Sequence, residues 1–299
     1  MRAGSLVRVT LLALIWGSGF LWIEISLRGF SPVQLTFVRL ALGAAVLIGV
    51  LRLRQLDLPR GRVWRHLIVA ALLANALPYL LFGIAQQTVA SNLAGAINAT
   101  TPLWAVMFAL AARTERRLGG RRLAGLLVGL LGAVFILHPW TDTTASVGGT
   151  VACLAASASY GASYVYMGQH LTNRGLPPLV LSAAQLMAAS GLLVLAAPLD
   201  GLRVPDLRGD AVTALLILGI VGTGAAYVLN YRIIQDDGAI LASTVTYLLP
   251  AVAAVLGVLV LDEQLTTYLV AGVLTVLFGV ALTRDDAPVW RRSPSAQSR

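Results

Sequence analysis

The sequence predicts an all-α membrane protein in which ten transmembrane helices form two inverted five-helix repeats. Of its 299 residues, 58% are hydrophobic and only 12% are charged, whereas a soluble domain carries about 25% charged residues. Ten apolar windows are long enough to cross a bilayer as helix, which takes about 20 residues. One unusual segment also occurs twice, as AGAINATTPLWAVMFALAARTE (94–115) and ASTVTYLLPAVAAVLGVLVLDE (242–263).

The apolar windows follow one another with short connections that contain helix-breaking prolines. They are 7–27, 33–51, 66–86, 91–112, 122–138, 148–168, 178–198, 210–231, 239–261 and 267–283. The first window resembles a secretory signal, but it is long enough to span and no small-residue cleavage site follows cleanly, so we expect a retained helix. The polar segment 285–299 is predicted to be a disordered cytoplasmic tail.

Arginine placement predicts the orientation. The chain has no lysine, which excludes Schiff-base chemistry, and its basic residues are 22 arginines. With the N-terminus inside, eighteen of them fall on the cytoplasmic side, three fall outside and Arg39 falls within a span. Because positively charged loops stay in the cytoplasm, we expect a multi-pass protein of the bacterial cytoplasmic (inner) membrane with both termini inside.

The duplication extends beyond the proline segments, into residues 1–138 and 148–284. Each copy ends its proline segment on a glutamate, Glu115 and Glu263. Five helices per copy is an odd number, so the second copy must lie upside down relative to the first. Inverted repeats make inward-open and outward-open packings nearly equivalent, as alternating access requires. With Pro102 aligned on Pro250, the equivalent pairs include Tyr79 and Tyr227, Trp16 and Tyr160, and Arg39 and Gln185.

Four segments resemble the EamA family of the drug/metabolite transporter superfamily: 16–40 (WGSGFLWIEISLRGFSPVQLTFVRL), 96–106 (AINATTPLWAV), 115–134 (ERRLGGRRLAGLLVGLLGAV) and 248–266 (LLPAVAAVLGVLVLDEQLT). This resemblance covers nearly the whole chain. It implies ten helices in two repeats and efflux of amino acids, other metabolites or drugs. Glu24 departs from the family, which often has a lysine there.

The two central prolines are predicted to kink their helices and to gate the pathway. A proline within a helix removes one backbone hydrogen bond and frees a carbonyl, and such polarity in lipid must be satisfied by neighbours or line a cavity. The alternative is that Pro102 and Pro250 bend their helices only for packing. A site near the midplane, at the interface of the repeats, is expected between the fourth and ninth helices.

Arg39 and Glu24 are charged residues within predicted spans. A charge at the centre of a membrane helix costs at least about 2.5–3.5 kcal/mol, so an unpaired one is costly. Their similar depth predicts an ion pair. Arg39 could instead attract a carboxylate in the outer vestibule, and Glu24 could be a proton site.

The predicted substrate-binding side chains are aromatic, amide, hydroxyl and arginine groups of both repeats. Aromatic rings with polar tips can line a pocket, although they also serve as anchors at the membrane surface. Further aromatic and amide candidates are Asn75, Tyr164, Asn230 and Tyr231. The predicted set is Trp16, Arg39, Tyr79, Asn98, Thr101, Trp104, Tyr160, Gln185, Tyr227, Thr246 and Tyr247.

The glycines Gly125, Gly129, Gly132, Gly272 and Gly279 suit close helix contacts, within one chain or between two.

The function predicted from these features is secondary transport of a small molecule, with no catalytic residue, no cofactor, no metal site and no nucleic-acid partner. His66, His138 and His170 fall at span ends or in loops, and Cys153 is expected to be a small core residue. No nucleotide-binding motif is present, so proton antiport and facilitated diffusion both remain open. The alternatives are an intramembrane enzyme and a membrane sensor or scaffold. A monomer or weak homodimer in the lipid bilayer is expected.

Overall fold

The computed structural model describes residues 3–85, 88–89, 91–115, 119–137, 146–195, 198, 204–252 and 267–282. Within these ranges the chain is helical and contains no β-strand, which confirms the predicted helical class. Residues Glu263, His138 and 285–299, and the side chain of Glu24, lie outside the described part. The Glu24–Arg39 ion pair therefore stays a prediction.

The first repeat contains eight α-helical segments, because three of its predicted windows are divided. The division falls at Ser18 in the first window, at a π-helical turn in the third and at 99–100 in the fourth. The segments are α1 (Ala3–Gly17), α2 (Gly19–Ser26), α3 (Pro32–Leu53), α4 (Val63–Ala71), the π-segment Leu72–Ala76, α5 (Leu77–Ala85), α6 (Ser91–Asn98), α7 (Thr101–Ala111) and α8 (Gly120–Leu137).

The second repeat also has a π-helical turn in its third window and a break in its fourth, but its first window forms one continuous helix. Its segments are α9 (Val147–His170), α10 (Pro178–Val194), α11 (Gly209–Gly219), the π-segment Ile220–Ala225, α12 (Ala226–Asp237), α13 (Ala239–Ser243), α14 (245–252) and α15 (Thr267–Leu282). Among the described residues, three continuous stretches are long and apolar enough to cross a membrane: Pro32–Leu53, Val63–Ala85 and Gly209–Asp237. Five shorter apolar helices accompany them.

Equivalent helices of the two repeats begin in the same way. Pro32 and Pro178 each lie in the first turn of their helix, α3 and α10. Proline is tolerated there because the first backbone N–H groups have no partner within the helix. In α3, Ser31 adds a capping box, since its Oγ accepts from the backbone N–H of Gln34 while its own N–H donates to the Gln34 side chain.

The π-segments were not anticipated by the sequence analysis, and they occupy equivalent places in the two repeats. A π turn is rare and is commonly found at functional sites. The carbonyls of Ala74 and Gly222, which are equivalent residues, each accept a bond from a side chain of another helix. The hydroxyl of Tyr227 donates to Ala74 over 2.8 Å, and the indole of Trp16 donates to Gly222 over 3.2 Å.

The predicted kink at Pro102 needs correction, whereas the kink at Pro250 stays a prediction. Pro102 lies in the first turn of α7, after a break at residues 99–100, so it begins a helix and does not bend one. Pro250 lies in α14, after a break at Thr244. A proline in the first turn removes no helical hydrogen bond, and this applies to Pro102. Pro250 is the sixth residue of α14, a position where a proline lacks the backbone N–H of a helical hydrogen bond.

Glycines bring α8 and α15 into direct backbone contact. A Cβ atom on Gly132 would lie 2.6 Å from the backbone nitrogen of Val276 and 2.9 Å from the carbonyl oxygen of Gly272. Small residues allow such approach between membrane helices. The glycine contact left open by the sequence is thus made within one chain, between the last helix of each repeat.

The apolar side chains divide between a core and an outer surface. The largest core cluster joins α1, α3, α4, α9, α10 and α12, and a smaller one encloses Cys153 at 0% exposure. Large apolar side chains also remain exposed, among them Leu131 at 55% and Phe278 at 60%. Exposed apolar surface on this scale marks contact with lipid or protein, and here it agrees with membrane-spanning helices.

Candidate functional site

A cavity of about 160 Å³ lies between the two repeats. It extends from Leu27 and Pro32, at the turn between α2 and α3, to the level of Met167 and Asn230. We call its two ends the Pro32 end and the Asn230 end. Helices of both repeats form the walls, so this cavity lies at the interface of the repeats, and its use as the predicted site stays a prediction.

Four aromatic side chains of the predicted set line this cavity, and their contacts repeat. The rings of Trp16 and Tyr227 meet edge to face at 6.2 Å and 65°. Those of Tyr160 and Tyr79, the equivalent residues, meet edge to face at 6.4 Å and 65°. Edge-to-face pairs at such distances are favourable beyond the area they bury. The cavity wall therefore contains the same aromatic contact twice, once for each repeat.

Arg39 is a buried cation in the cavity wall. Its residue is 8% exposed, and its Nε donates to the Thr223 hydroxyl over 3.1 Å. Its guanidinium carbon lies 4.4 Å from the centroid of the Tyr79 ring, within the range of a cation–π interaction. Among the described residues, no carboxylate contacts Arg39. This arginine is held by neutral groups of two helices, one from each repeat.

Gln185 belongs to a buried hydrogen-bond network and does not line the cavity, which corrects its predicted position. Its Nε2 donates to Asn75 Oδ1 over 2.7 Å, and its Oε1 accepts a bond from the Tyr231 hydroxyl. Gln185, Asn75 and Tyr231 are all 0% exposed. Because both polar atoms of Gln185 are bonded within the bundle, this side chain of the second helix of its repeat faces its neighbours and not the cavity.

Asn98 and Thr246 of the two proline segments line the cavity. Their neighbours in sequence do not: Thr101 is fully buried, with its hydroxyl donating to Asn98 Oδ1. The Tyr247 hydroxyl donates to the carbonyl of Leu126. These placements correct the predictions for Thr101 and Tyr247, whose polar groups are used within the helix bundle.

Trp104 and the two prolines also lie outside the cavity lining. The Trp104 indole donates to the Thr100 hydroxyl over 3.2 Å, and its ring stacks on Phe108. Pro102 and Pro250 are buried. Asn98 lies just before the break in its segment, and Thr246 lies just after the break in the other.

Several lining residues were missing from the predicted set. Thr36, Phe82 and Ser163 carried no signal beyond ordinary apolar helix, and only their spacing from Arg39, Tyr79 and Tyr160 along the helices could have indicated them. Asn230, which the sequence analysis named only as a further candidate, lines the cavity, is 2% exposed and has an Oδ1 atom without a hydrogen-bond partner.

Beyond the Asn230 end, charged groups join the two repeats. Arg8 of α1 pairs with Asp236 over 2.8 Å, and the Ser5 hydroxyl donates to Asp237 over 2.8 Å. On the side of the Pro32 end, the hydroxyls of Thr88 and Ser146 meet at 2.6 Å. Both contacts join the end of a third-window helix to the start of the first-window helix of the other repeat.

The histidines of the described part form no metal centre. His66 and His170 stack at 4.8 Å, and the His66 Nδ1 atom shares a hydrogen bond with the Tyr166 hydroxyl. In the described ranges, no group of three or more His, Cys, Asp or Glu residues is arranged to hold a metal ion.

The EamA-like transporter family model matches the chain twice, at residues 5–138 and 147–284. An uncharacterized protein of Pseudomonas aeruginosa is 31% identical over 84% of this chain and 84% of its own length. The uncharacterized inner membrane transporter YedA of Escherichia coli (strain K12) is 29% identical over 91% of this chain and 87% of its length.

A third relative is the uncharacterized transporter YdfC of Bacillus subtilis (strain 168), 24% identical over 90% of this chain and 87% of its own. One solved crystal structure superposes with a TM-score of 0.79 at 22% identity and covers 95% of this chain and 99% of the other. At that identity the likeness shows the fold alone.

Proposed function

Because the chain belongs to the EamA-like transporter family and is therefore a membrane transporter, we propose that it exports an amino acid or a similar small metabolite or drug by alternating access. In this proposal ten helical units cross the cell membrane and both termini lie in the cytoplasm. The substrate occupies the cavity between the repeats. Transport needs neither a cofactor nor a catalytic residue, and the substrate and the lipid bilayer are the partners.

The observation that carries the proposal is the doubled architecture of the cavity. Trp16 with Tyr227, and Tyr160 with Tyr79, make one contact in two equivalent copies on its walls. In a pathway built from inverted copies, the contacts of one repeat can close one end in one state. The equivalent contacts of the other repeat can then close the opposite end in the other state. The Arg8–Asp236 pair and the Thr88–Ser146 pair occupy related positions at opposite ends, as such an exchange requires.

Flux in proteoliposomes tests this function. Vesicles loaded with labelled amino acids, hydroxy acids or cationic drugs should release at least one class faster than protein-free vesicles do. Repeating the measurement with a pH gradient then distinguishes proton antiport from facilitated diffusion, since only antiport responds to the gradient. Growth protection of cells against toxic analogues reports the direction. Release no faster than from empty vesicles for every solute would overturn the proposal.

A further inference from the structure

The two repeats make the same buried polar contact twice, but with different charge. In one copy, Arg39 of α3 donates to Thr223, which lies in the π-segment of the other repeat, over 3.1 Å. In the other copy, Gln185 of α10 donates to Asn75, in the π-segment of the first repeat, over 2.7 Å. Arg39 and Gln185 are equivalent residues, and so are Thr223 and Asn75. The contact joins the repeats in both cases.

This comparison separates the structural role of Arg39 from its charge. The Gln185 amide makes the equivalent contact without a charge, so the fold does not require a cation at this place. A buried cation within an apolar bundle is unfavourable and marks functional positions. The packing of the described residues therefore does not explain the charge of Arg39.

The donors that Arg39 has left are suited to an anion. Its Nε is taken by Thr223, and the Tyr79 ring covers its guanidinium. Its two terminal nitrogens have no hydrogen-bond partner in the part of the chain that the structure describes. They are also not fully enclosed by protein. A guanidinium presents such donors as a planar fork that matches a carboxylate.

Asn230 supplies a second unused polar group in the same cavity. It is 2% exposed, and its Oδ1 atom has no donor. A buried acceptor without a partner is costly, and a ligand that donates an N–H or O–H group would satisfy it. The rest of the lining combines apolar side chains, for example Ile15, Leu218 and Leu249, with aromatic rings and a few polar groups.

We propose that the transported molecule is a small carboxylate with an apolar body and a separate hydrogen-bond donor. Its carboxylate binds Arg39 and its donor binds Asn230. This assignment rests on the proposed function, because it takes the cavity to be the substrate site.

Four ligands that share one branched body test the assignment, since they vary the two groups independently. L-Leucine has the carboxylate and the ammonium, 4-methylpentanoate only the carboxylate, L-leucinamide only the ammonium, and 4-methylpentanamide neither. Binding is measured by ligand-dependent shifts of thermal unfolding in detergent. We expect both carboxylates to bind the wild-type protein more tightly than the corresponding amides, with L-leucine tightest.

Substitutions then assign each group. Arg39→Gln copies the residue of the second repeat, so it should fold, and we expect it to bind both carboxylates about 30-fold more weakly or worse. Arg39→Lys should retain part of the affinity. Asn230→Ala should remove the advantage of L-leucine over 4-methylpentanoate. Arg28→Gln is the matched control, because Arg28 has a half-exposed side chain outside the cavity lining, and it should bind like the wild type.

The outcomes separate this inference from the proposed function. The inference is wrong if neither carboxylate shifts the unfolding of the wild-type protein, or if Arg39→Gln binds the carboxylates as tightly as the wild type. Flux of L-leucinamide or of a cationic drug without flux of any carboxylate would also overturn it, yet would leave the transporter function standing. Absence of flux for every solute would count against the transporter function instead.

Discussion

Gly279 of α15 lies directly on the backbone of Gly129 in α8. A Cβ atom at residue 279 would overlap the Gly129 nitrogen, and the next nearest atoms are also backbone. We expect Gly279→Ala to force the two helices apart and to lower the free energy of unfolding by about 1–3 kcal/mol, as overpacking does. Thermal or denaturant unfolding in detergent measures the change.

Gly49→Ala is the matched control for this substitution. Gly49 lies in α3, and a Cβ atom there would meet no atom within 4 Å. Alanine should therefore be neutral or slightly stabilising at this place, because it is the better helix former. Equal stability of Gly279→Ala and Gly49→Ala would show that the α8–α15 contact is looser than described.

Filling the cavity should stop transport. Gly19 lines the cavity, and a Cβ atom there would meet only Leu218, at 4.0 Å. A phenylalanine at this position has room to enter the cavity and would occupy the substrate site. We expect Gly19→Phe to be produced normally and to reduce flux in proteoliposomes at least tenfold, while Gly49→Phe, on the outer surface, transports like the wild type. Undiminished flux in Gly19→Phe would argue against this pathway.

The hydrogen bond from Tyr227 to the π-segment carbonyl of Ala74 should stabilise the fold. Tyr227→Phe removes the 2.8 Å hydrogen bond to that carbonyl, and we expect a loss of about 1 kcal/mol in the free energy of unfolding, since net hydrogen bonds are worth about this much. Tyr164→Phe is the control, because Tyr164 also lines the cavity but has no hydrogen-bond partner within the described ranges. Similar losses for both variants would show that removing any tyrosine hydroxyl from the cavity has this effect, and not the loss of the bond to Ala74.

Covalent closure beyond the Asn230 end should arrest transport. Ser5 and Asp237 join the two repeats through a 2.8 Å contact between their side chains, so cysteines at both positions lie close enough for a disulfide or a short bifunctional thiol reagent. If the repeats separate here during alternating access, the Ser5→Cys, Asp237→Cys double variant should lose flux when cross-linked and regain it on reduction. Ser5→Cys alone should respond to neither treatment. Full activity of the cross-linked protein would contradict opening at this end.

Much of the fold could be predicted because hydropathy and length largely determine which segments are helical in a bilayer. Each of the ten predicted windows is mainly helical in its described residues, with internal breaks at Ser18, 99–100 and Thr244. The π-segments could not be predicted, since sequences such as LLANA and IVGTGA carry no local signal for a π turn. They depend on contacts from distant helices, such as those of Trp16 and Tyr227.

Only part of the candidate site could be predicted, because the orientation of a polar side chain also depends on distant helices. The repeat alignment indicated Arg39, Tyr79 and Tyr227, all of which line the cavity. It also indicated Gln185, which turns into the bundle because Asn75 and Tyr231 are there to receive it. The sequence indicates which helix a polar residue belongs to, but not which face of that helix it lies on. In a membrane bundle a polar side chain can be satisfied in a buried network or in a cavity, so the sequence does not distinguish the two.

The burial of Cys153 makes this chain convenient for chemical labelling. Its thiol is the single cysteine of the protein and is fully enclosed, and the absence of lysine leaves amine-reactive reagents without a side-chain target. Thiol or amine probes introduced at chosen positions would therefore report those positions against almost no background from the native chain. Distances between pairs of spectroscopic labels, one in each repeat, could be followed through the transport cycle without first removing reactive residues.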